Sequence, residues 1–233
     1  MENFENQELS LAQSSAEVRV AFYKKTYGHL ALAFLLFTLV EVVFLSSEAI
    51  VNVGLAMTQG YTWLIVLGGF MLVTNFAERW AAGSDNPQMQ YAGFVLYIVA
   101  QAFIFVPLLY MAIYVAEDPN LLQKALTVTL GLFTALTAVV FFTGKDFSFL
   151  RTAIMVGGIT ALVIIVAGML FGFDLGLVFM GAMILLAAAS ILYQTSNIVH
   201  KYHPTQHVVA ALGLFASFML LLWYVISFFL SRD

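Results

Sequence analysis

The stretch AAASILYQTSNIVHKY, residues 187–202, changes from apolar to polar within one helical pattern. Its polar side chains recur at i, i+4, i+7 and i+11, which brings them to one face of an α-helix: Ser190, Gln194, Asn197 and Lys201. An unpaired polar group in hydrocarbon is costly, so such a face needs partners on a neighbouring helix. The stretch therefore predicts a polar seam in the middle of a helical membrane bundle.

The composition indicates an integral membrane protein. Of 233 residues, 62% are hydrophobic and 9% are charged, and the mean hydropathy is +0.96, far above that of a soluble domain. The sequence contains no Cys, which excludes disulfides and thiolate metal sites. The net charge of −4 includes no basic stripe, so we expect no binding to nucleic acid.

Seven apolar stretches are each long enough to cross a bilayer as a helix, which takes about 20 residues. They are placed near 28–47, 60–79, 91–115, 121–143, 149–171, 174–199 and 207–230. The connections between them are too short for a soluble domain. We therefore expect an all-α integral membrane protein, with a flexible polar cytoplasmic tail over residues 1–22 and a seven-helix membrane domain over residues 23–233.

The distribution of basic residues predicts the orientation, because Lys and Arg collect in cytoplasmic loops. With a cytoplasmic N-terminus, that side carries seven of them: Arg19, Lys24, Lys25, Arg79, Lys145, Arg151 and Lys201. The other side carries Lys124 and Arg232. Seven against two predicts a cytoplasmic N-terminus and a C-terminus on the opposite side.

Small residues predict how the last two spans pack. Ala210, Gly213 and Ser217 share one face of the seventh span, and the short loop before it makes the sixth and seventh spans antiparallel neighbours. This smooth face is expected to lie against Gln194. Gly157 and Ala161 form a similar small-residue pair in the fifth span.

Two carboxylates lie within or at the end of a predicted span. Glu41 is the one carboxylate well inside a predicted span, where such a residue usually marks a pathway or an internal pair. If the first span ends early, Glu41 instead reaches the interface and its side chain extends to water. Asp174, in the sequence GFDLG, is expected to cap the N-terminus of the sixth span.

Chemistry at a catalytic or metal centre has little support. His200, His203 and His207 have helical spacing, but Pro204 interrupts the segment and no carboxylate lies nearby in sequence to complete a metal site. Interfacial loop histidines are the simpler interpretation. The motifs HExxH, GxSxG and the P-loop are missing, so we expect no enzyme and no cofactor.

Four segments carry a resemblance to a known family. They are ILYQTSNIVH (191–200), KDFSFL (145–150), KKTYGHLALAF (24–34) and SRD (231–233). The chain resembles the Bax inhibitor-1 family, and most closely its bacterial branch typified by YccA, a modulator of the membrane protease FtsH. The resemblance implies a bundle of seven helices with the last near the centre, in a bacterial inner (plasma) membrane.

The resemblance implies two possible functions. In the YccA-like branch, the protein binds an FtsH-type membrane protease complex and modulates it in membrane protein quality control, which is the leading hypothesis. Other members resemble pH-sensitive calcium leak channels gated by two aspartates, at the positions of Gln194 and Ser217 here. An amide and a hydroxyl do not titrate near neutral pH, which counts against a pH gate of this kind. A calcium or cation leak past Ser190, Gln194, Asn197, Ser217 and Glu41 is the alternative function.

Overall fold

The computed structural model describes residues 11–83 and 86–232, and every regular element in these ranges is a helix. A short 3-10 helix over Leu11–Gln13 precedes the α-helices. These are α1 (Ala16–Leu45), α2 (Glu48–Met57), α3 (Thr62–Gly83), α4 (Pro87–Tyr110), α5 (Leu121–Thr143), α6 (Leu150–Phe171), α7 (Gly176–His200) and α8 (His207–Leu230). A π-helical turn, Met111–Val115, extends α4 beyond its internal Pro107.

The helices alternate in direction, so the bundle has two ends. We call the end where α1 begins the near end, and the end where α1 finishes the far end. By length and composition, α1, α4, α5, α6, α7 and α8 can each cross a membrane. The pair α2–α3 meets the same test as one span bent by 106°. Six single-helix spans and one bent pair give the predicted bundle of seven.

The interior of the bundle is built around α8 and α4. In the most apolar window of each helix, 67% of α8 and 61% of α4 is buried within the protein, against 11% of α6. Contacts to α8 come from α1, α3, α4, α5 and α7. Phe215, at the middle of α8, is fully buried and meets the rings of Phe34 and Phe37 from α1 and Tyr97 from α4. The last span is thus the core helix.

The first helix begins earlier than the sequence predicted. Ser15 caps α1 by accepting a hydrogen bond from the N–H of Val18 at 3.4 Å. At 1.5 Å per residue, 30 residues give a helix of about 45 Å, longer than the roughly 30 Å hydrocarbon core. Residues 11–13 and 16–22 are therefore helical, which differs from the tail without regular structure that the sequence suggested over 1–22. Residues 1–10 lie outside the described residues.

Two local predictions near the far end are also wrong. The segment after the first span, predicted to be a loop, contains the ten-residue helix α2. Asp174 does not cap α7, because the helix begins at Gly176 and the cap residue is Leu175, with no side-chain hydrogen bond. Gly172 and Gly176, on either side of Asp174, have φ of +72° and +61°. These left-handed conformations turn the chain at Asp174, so its side chain does not reach the first N–H groups of α7.

Glycines allow the closest helix contacts. A Cβ atom on Gly93 of α4 would fall on the carbonyl oxygen of Ala77 and within 2.9 Å of the Cβ of Trp80 in α3. A Cβ on Gly157 of α6 would lie 2.7 Å from Cδ1 of Leu186 in α7, so the predicted packing role of Gly157 is confirmed. At Gly93 the two backbones approach as closely as small residues permit in membrane bundles.

The replacement Gly93→Ala is expected to destabilise the α3–α4 pair. The added methyl group meets backbone atoms of α3 that cannot move aside, and overpacking of this kind typically costs about 1–3 kcal/mol. The thermal unfolding midpoint in detergent should fall. Gly131→Ala in α5 is the matched control, because a Cβ there meets nothing within 4 Å, and its midpoint should stay level or rise. Equal midpoints for the two variants would contradict the close contact.

Candidate functional site

The predicted contact between Gln194 and the smooth face of the last helix is confirmed. Gln194 of α7 lies directly over Gly213 of α8, where a Cβ atom would be 2.9 Å from Oε1 and 3.2 Å from Nε2 of the amide. A larger residue at Gly213 would push this amide away. The polar seam is therefore built into the α7–α8 interface, and Gly213 makes the room for it.

The other predicted seam residues on α7 and α8 differ in how their polar groups are bonded. The hydroxyl of Ser217 donates to the carbonyl oxygen of Gly213 at 2.9 Å. Asn197 is 8% exposed, and its backbone carbonyl accepts from the N–H groups of Lys201 and Tyr202. Its side-chain Oδ1 is buried without a partner among the described residues. Ser190 is half-buried on the same helix.

Tyr202 joins the seam to the N-terminal segment. Burial raises the pKa of Tyr202 to about 12, so the phenol is neutral and its O–H points to Oε1 of Gln194 at 3.5 Å, a long hydrogen bond. The carbonyl oxygen of Tyr202 accepts from the N–H of Leu11 at 2.9 Å. The side chain of Leu11 is fully buried, and the ring of Phe22 lies 6.5 Å from that of Tyr202. We call residues 11–22 the N-terminal arm.

Ser196 ties the KDFSFL segment to α7. Its hydroxyl accepts from the N–H of Phe147 at 2.9 Å and donates to Oδ1 of Asp146 at 3.2 Å. The backbone N–H and the hydroxyl of Ser148 hold the pKa of the Asp146 carboxyl below its usual range, and Ser196 adds to this effect. The stabilisation is therefore present at neutral pH and is lost as the pH falls through that lowered pKa. Two segments of the family resemblance meet at this point.

Glu41 lies apart from the seam. It is 4% exposed, and both carboxylate oxygens are buried without a partner among the described residues. Glu41 is four residues from the far end of α1, about 6 Å along the axis, whereas Gln194 is six residues from the near end of α7. The structure thus places Glu41 and Gln194 in opposite halves of the bundle. Glu41 therefore does not lie at the depth of Gln194, and the role of the five predicted residues in a leak stays a prediction.

The histidines are also separated. His200 contacts the carbonyl oxygen of Ser196 at 3.0 Å, and His203 contacts the hydroxyl of Thr205 at 2.8 Å. His207 instead packs against the ring of His29, with centroids 4.9 Å apart. Within residues 11–83 and 86–232, no three His, Asp or Glu side chains are placed to hold a metal.

Sequence reasoning missed Thr195 and Ser196, both fully buried. They lie on the face of α7 beside the predicted seam. The seam was predicted from the spacing of residues on one face only, so residues on the adjacent face were left out. Three consecutive polar residues, TSN, were the signal that could have revealed them, because a polar run that covers more than one face needs partners on more than one side. Here the second partner is a loop rather than a helix.

Comparison with known proteins identifies the family. The sequence matches the family model described as inhibitor of apoptosis-promoting Bax1 over residues 19–233. The chain belongs to this family, the Bax inhibitor-1 family. The Golgi anti-apoptotic protein of vaccinia virus (strain Lister) is 26% identical over 210 residues, which cover 88% of this chain and 83% of the relative. Protein lifeguard 4 of Mus musculus is 25% identical over 224 residues, covering 94% and 88%.

Membership in the Bax inhibitor-1 family confirms the resemblance at the level of the family and of the helical membrane fold. The match begins at Arg19, inside the N-terminal arm, and includes α1 to α8. It therefore contains both helices of the Gln194–Gly213 contact and the loop that Ser196 holds. The protein is a multi-pass membrane protein related to anti-apoptotic and lifeguard proteins.

The replacement Ser196→Ala is expected to release the 144–149 loop without unfolding the bundle. The N–H of Phe147 loses its acceptor, at a cost of about 1.4 kcal/mol or roughly tenfold in local opening. Hydrogen exchange of the Phe147 amide, measured by mass spectrometry in detergent, should accelerate by that factor. Ser190→Ala on the same helix is the control and should leave this amide unchanged. Unchanged exchange in Ser196→Ala would contradict the assigned bond.

Proposed function

We propose that this protein is a regulatory protein of a bacterial inner membrane that binds an FtsH-type AAA protease and modulates its proteolysis. The proposal rests on the YccA-like features of the sequence and on one structural observation. That observation is the N-terminal arm, fixed to the α7–α8 loop through Leu11. In this proposal the protein acts by occupying the protease, with no chemistry of its own.

The arm supplies resistance to extraction. A protease that pulls from the N-terminal side must first withdraw the side chain of Leu11 and break its hydrogen bond to Tyr202. Phe22, 1% exposed, must follow before α1 can leave the bundle. Burial of one large apolar side chain is worth about 1.5–3 kcal/mol, and both must be withdrawn. A protein that is engaged but slowly extracted keeps the protease occupied.

The seam favours modulation over a pH-gated leak. The two positions where the resemblance implies sensor aspartates hold Gln194 and Ser217, whose charge does not change with pH. The hydroxyl of Ser217 is bonded to its own helix, and the amide of Gln194 fills the space above Gly213. Neutral oxygens alone make a weak calcium site, because they supply no anionic charge.

The replacement Leu11→Ser is expected to speed degradation while the bundle stays folded. Losing the buried side chain weakens the arm by about 2 kcal/mol, which raises its released population more than tenfold. Degradation by an FtsH-type protease should be measured in proteoliposomes with ATP. Val20→Ser, at a half-exposed position of the same arm, is the control and should keep the original half-life. Equal half-lives for both variants would remove the arm from the mechanism, and failure to crosslink to the protease would remove the proposal itself.

A cation leak is the second candidate, and Glu41 is the observation that favours it. A buried carboxylate without a partner among the described residues is costly inside a membrane and often marks an ion path. Its separation from Gln194 means that the two would act at different depths of such a path.

If Glu41 carries cations, Glu41→Gln should reduce calcium flux into proteoliposomes toward that of empty liposomes, because the amide removes the negative charge of this buried carboxylate. The flux should be measured with an encapsulated indicator at pH 6 and pH 8. Glu48→Gln, at an exposed position of the same end, is the control and should conduct like the unaltered protein. Flux that equals that of empty liposomes in all three proteins would exclude this candidate.

A further inference from the structure

A crevice runs through the far half of the bundle between two groups of helices. Its inner part has a volume of about 440 Å³, with α8 as the floor, α3 and α4 on one side and α6 and α7 on the other. A second space of about 550 Å³ lies beside it, nearer the far end. The two spaces share Trp63, Ile165, Leu175 and Met180 in their walls. We call both together the far crevice.

The length and direction of the far crevice match one leaflet of a bilayer. Along α8 it extends from Ala216 to Ser227, eleven residues or roughly 16 Å, which is about half of the 30 Å hydrocarbon core. Trp63 and Trp223 stack at 5.9 Å in its wall, and tryptophans of this kind collect at membrane interfaces. The crevice thus runs from the far interface toward the middle of the membrane, parallel to the chains of the far leaflet.

The lining of the far crevice is apolar inside and polar at the mouth. Phe70, Phe105, Phe179 and Met219 line the inner part, where Gln101 is the single amide. The mouth carries Asp174 and Ser231. Asp174 is exposed and caps no helix, so its carboxylate is available to a ligand. This polarity is that of an amphiphile, with an apolar chain inside and a positively charged group at the interface.

We propose that the far crevice binds one acyl chain of a far-leaflet phospholipid whose headgroup carries an amine. The chain fills the apolar walls, and the ammonium group pairs with Asp174 at the mouth. The volume of the inner part lies within the roughly 300–1,000 Å³ of small-molecule sites. The single carboxylate favours an ethanolamine headgroup over the anionic glycerol headgroup, and it repels a free fatty acid. This site does not depend on the proposed function.

The two stacked tryptophans allow a direct test. In a Trp80→Phe background, Trp63 and Trp223 are the remaining tryptophans. In nanodiscs, phosphatidylethanolamine with brominated chains should quench their fluorescence strongly. Ala216→Phe fills the crevice from its floor and should lose most of this quenching. Val163→Phe, on an exposed face of α6, is the matched control and should keep it. Equal quenching in the two variants would show contact with bulk lipid only and would overturn the proposal.

A gain of binding separates the proposal from misfolding. Gln101→Leu removes the amide from the inner part of the far crevice and makes its wall more apolar, so more phosphatidylethanolamine should survive purification in native mass spectra. Asp174→Asn should reduce the preference for phosphatidylethanolamine over phosphatidylglycerol, roughly fivefold for one charge at the interface. Asp118→Asn, at another far-end loop, should leave the preference unchanged. No retained lipid in any variant, or an unchanged preference in Asp174→Asn, would overturn the proposal.

Discussion

The enclosure of α8 is the constraint on which the rest of the structure depends. Five helices contact it, and residues 208–230 contain no charged side chain. Such a helix has no water for its polar groups, so each must be satisfied within the protein. Ser217 and Ser227 donate to carbonyl oxygens one turn earlier in α8, and Gly213 leaves space for the amide of Gln194. The core helix therefore fixes where its neighbours can hold polar residues.

The two ends of the bundle differ in how the segments around α8 are held together. At the near end, α7 and the loop after it hold two other segments: Ser196 binds the 144–149 loop, and Tyr202 binds the N-terminal arm. These hydrogen bonds close the near end into one connected unit. At the far end, α3 packs mainly on α4 and α6 on α7, so the helices separate above α8 and leave the far crevice. The near end thus suits a mechanical role, and the far end suits a lipid.

The hydrophobicity pattern and the loop lengths explain which sequence predictions were confirmed. The spans at 121–143 and 207–230 coincide with α5 and α8, because hydrophobicity rises and falls sharply at their ends. The Gln194–Gly213 contact was predictable, since a short loop forces antiparallel packing and a small residue marks the close approach. The start of α1 was not, because polar residues beyond the membrane can continue a helix as well as end it. The helix α2 was missed because ten apolar residues are too few for a span.

The sequence by itself determined the class of the protein, the number of apolar segments and the neutral chemistry of the seam, because these follow from composition and from residue spacing along single helices. The tertiary structure alone decided that the Glu41 carboxylate is buried without a partner among the described residues, that Ser196 binds a loop, and that Asp174 lies at the mouth of a crevice. The reason is physical: depth along a helix can be read from residue number, but which helix or loop faces a side chain depends on how all the helices pack together. Gln194 illustrates both contributions. Its position in the sequence sets the face of α7 on which it lies, whereas Gly213 on α8 provides the space that its amide occupies.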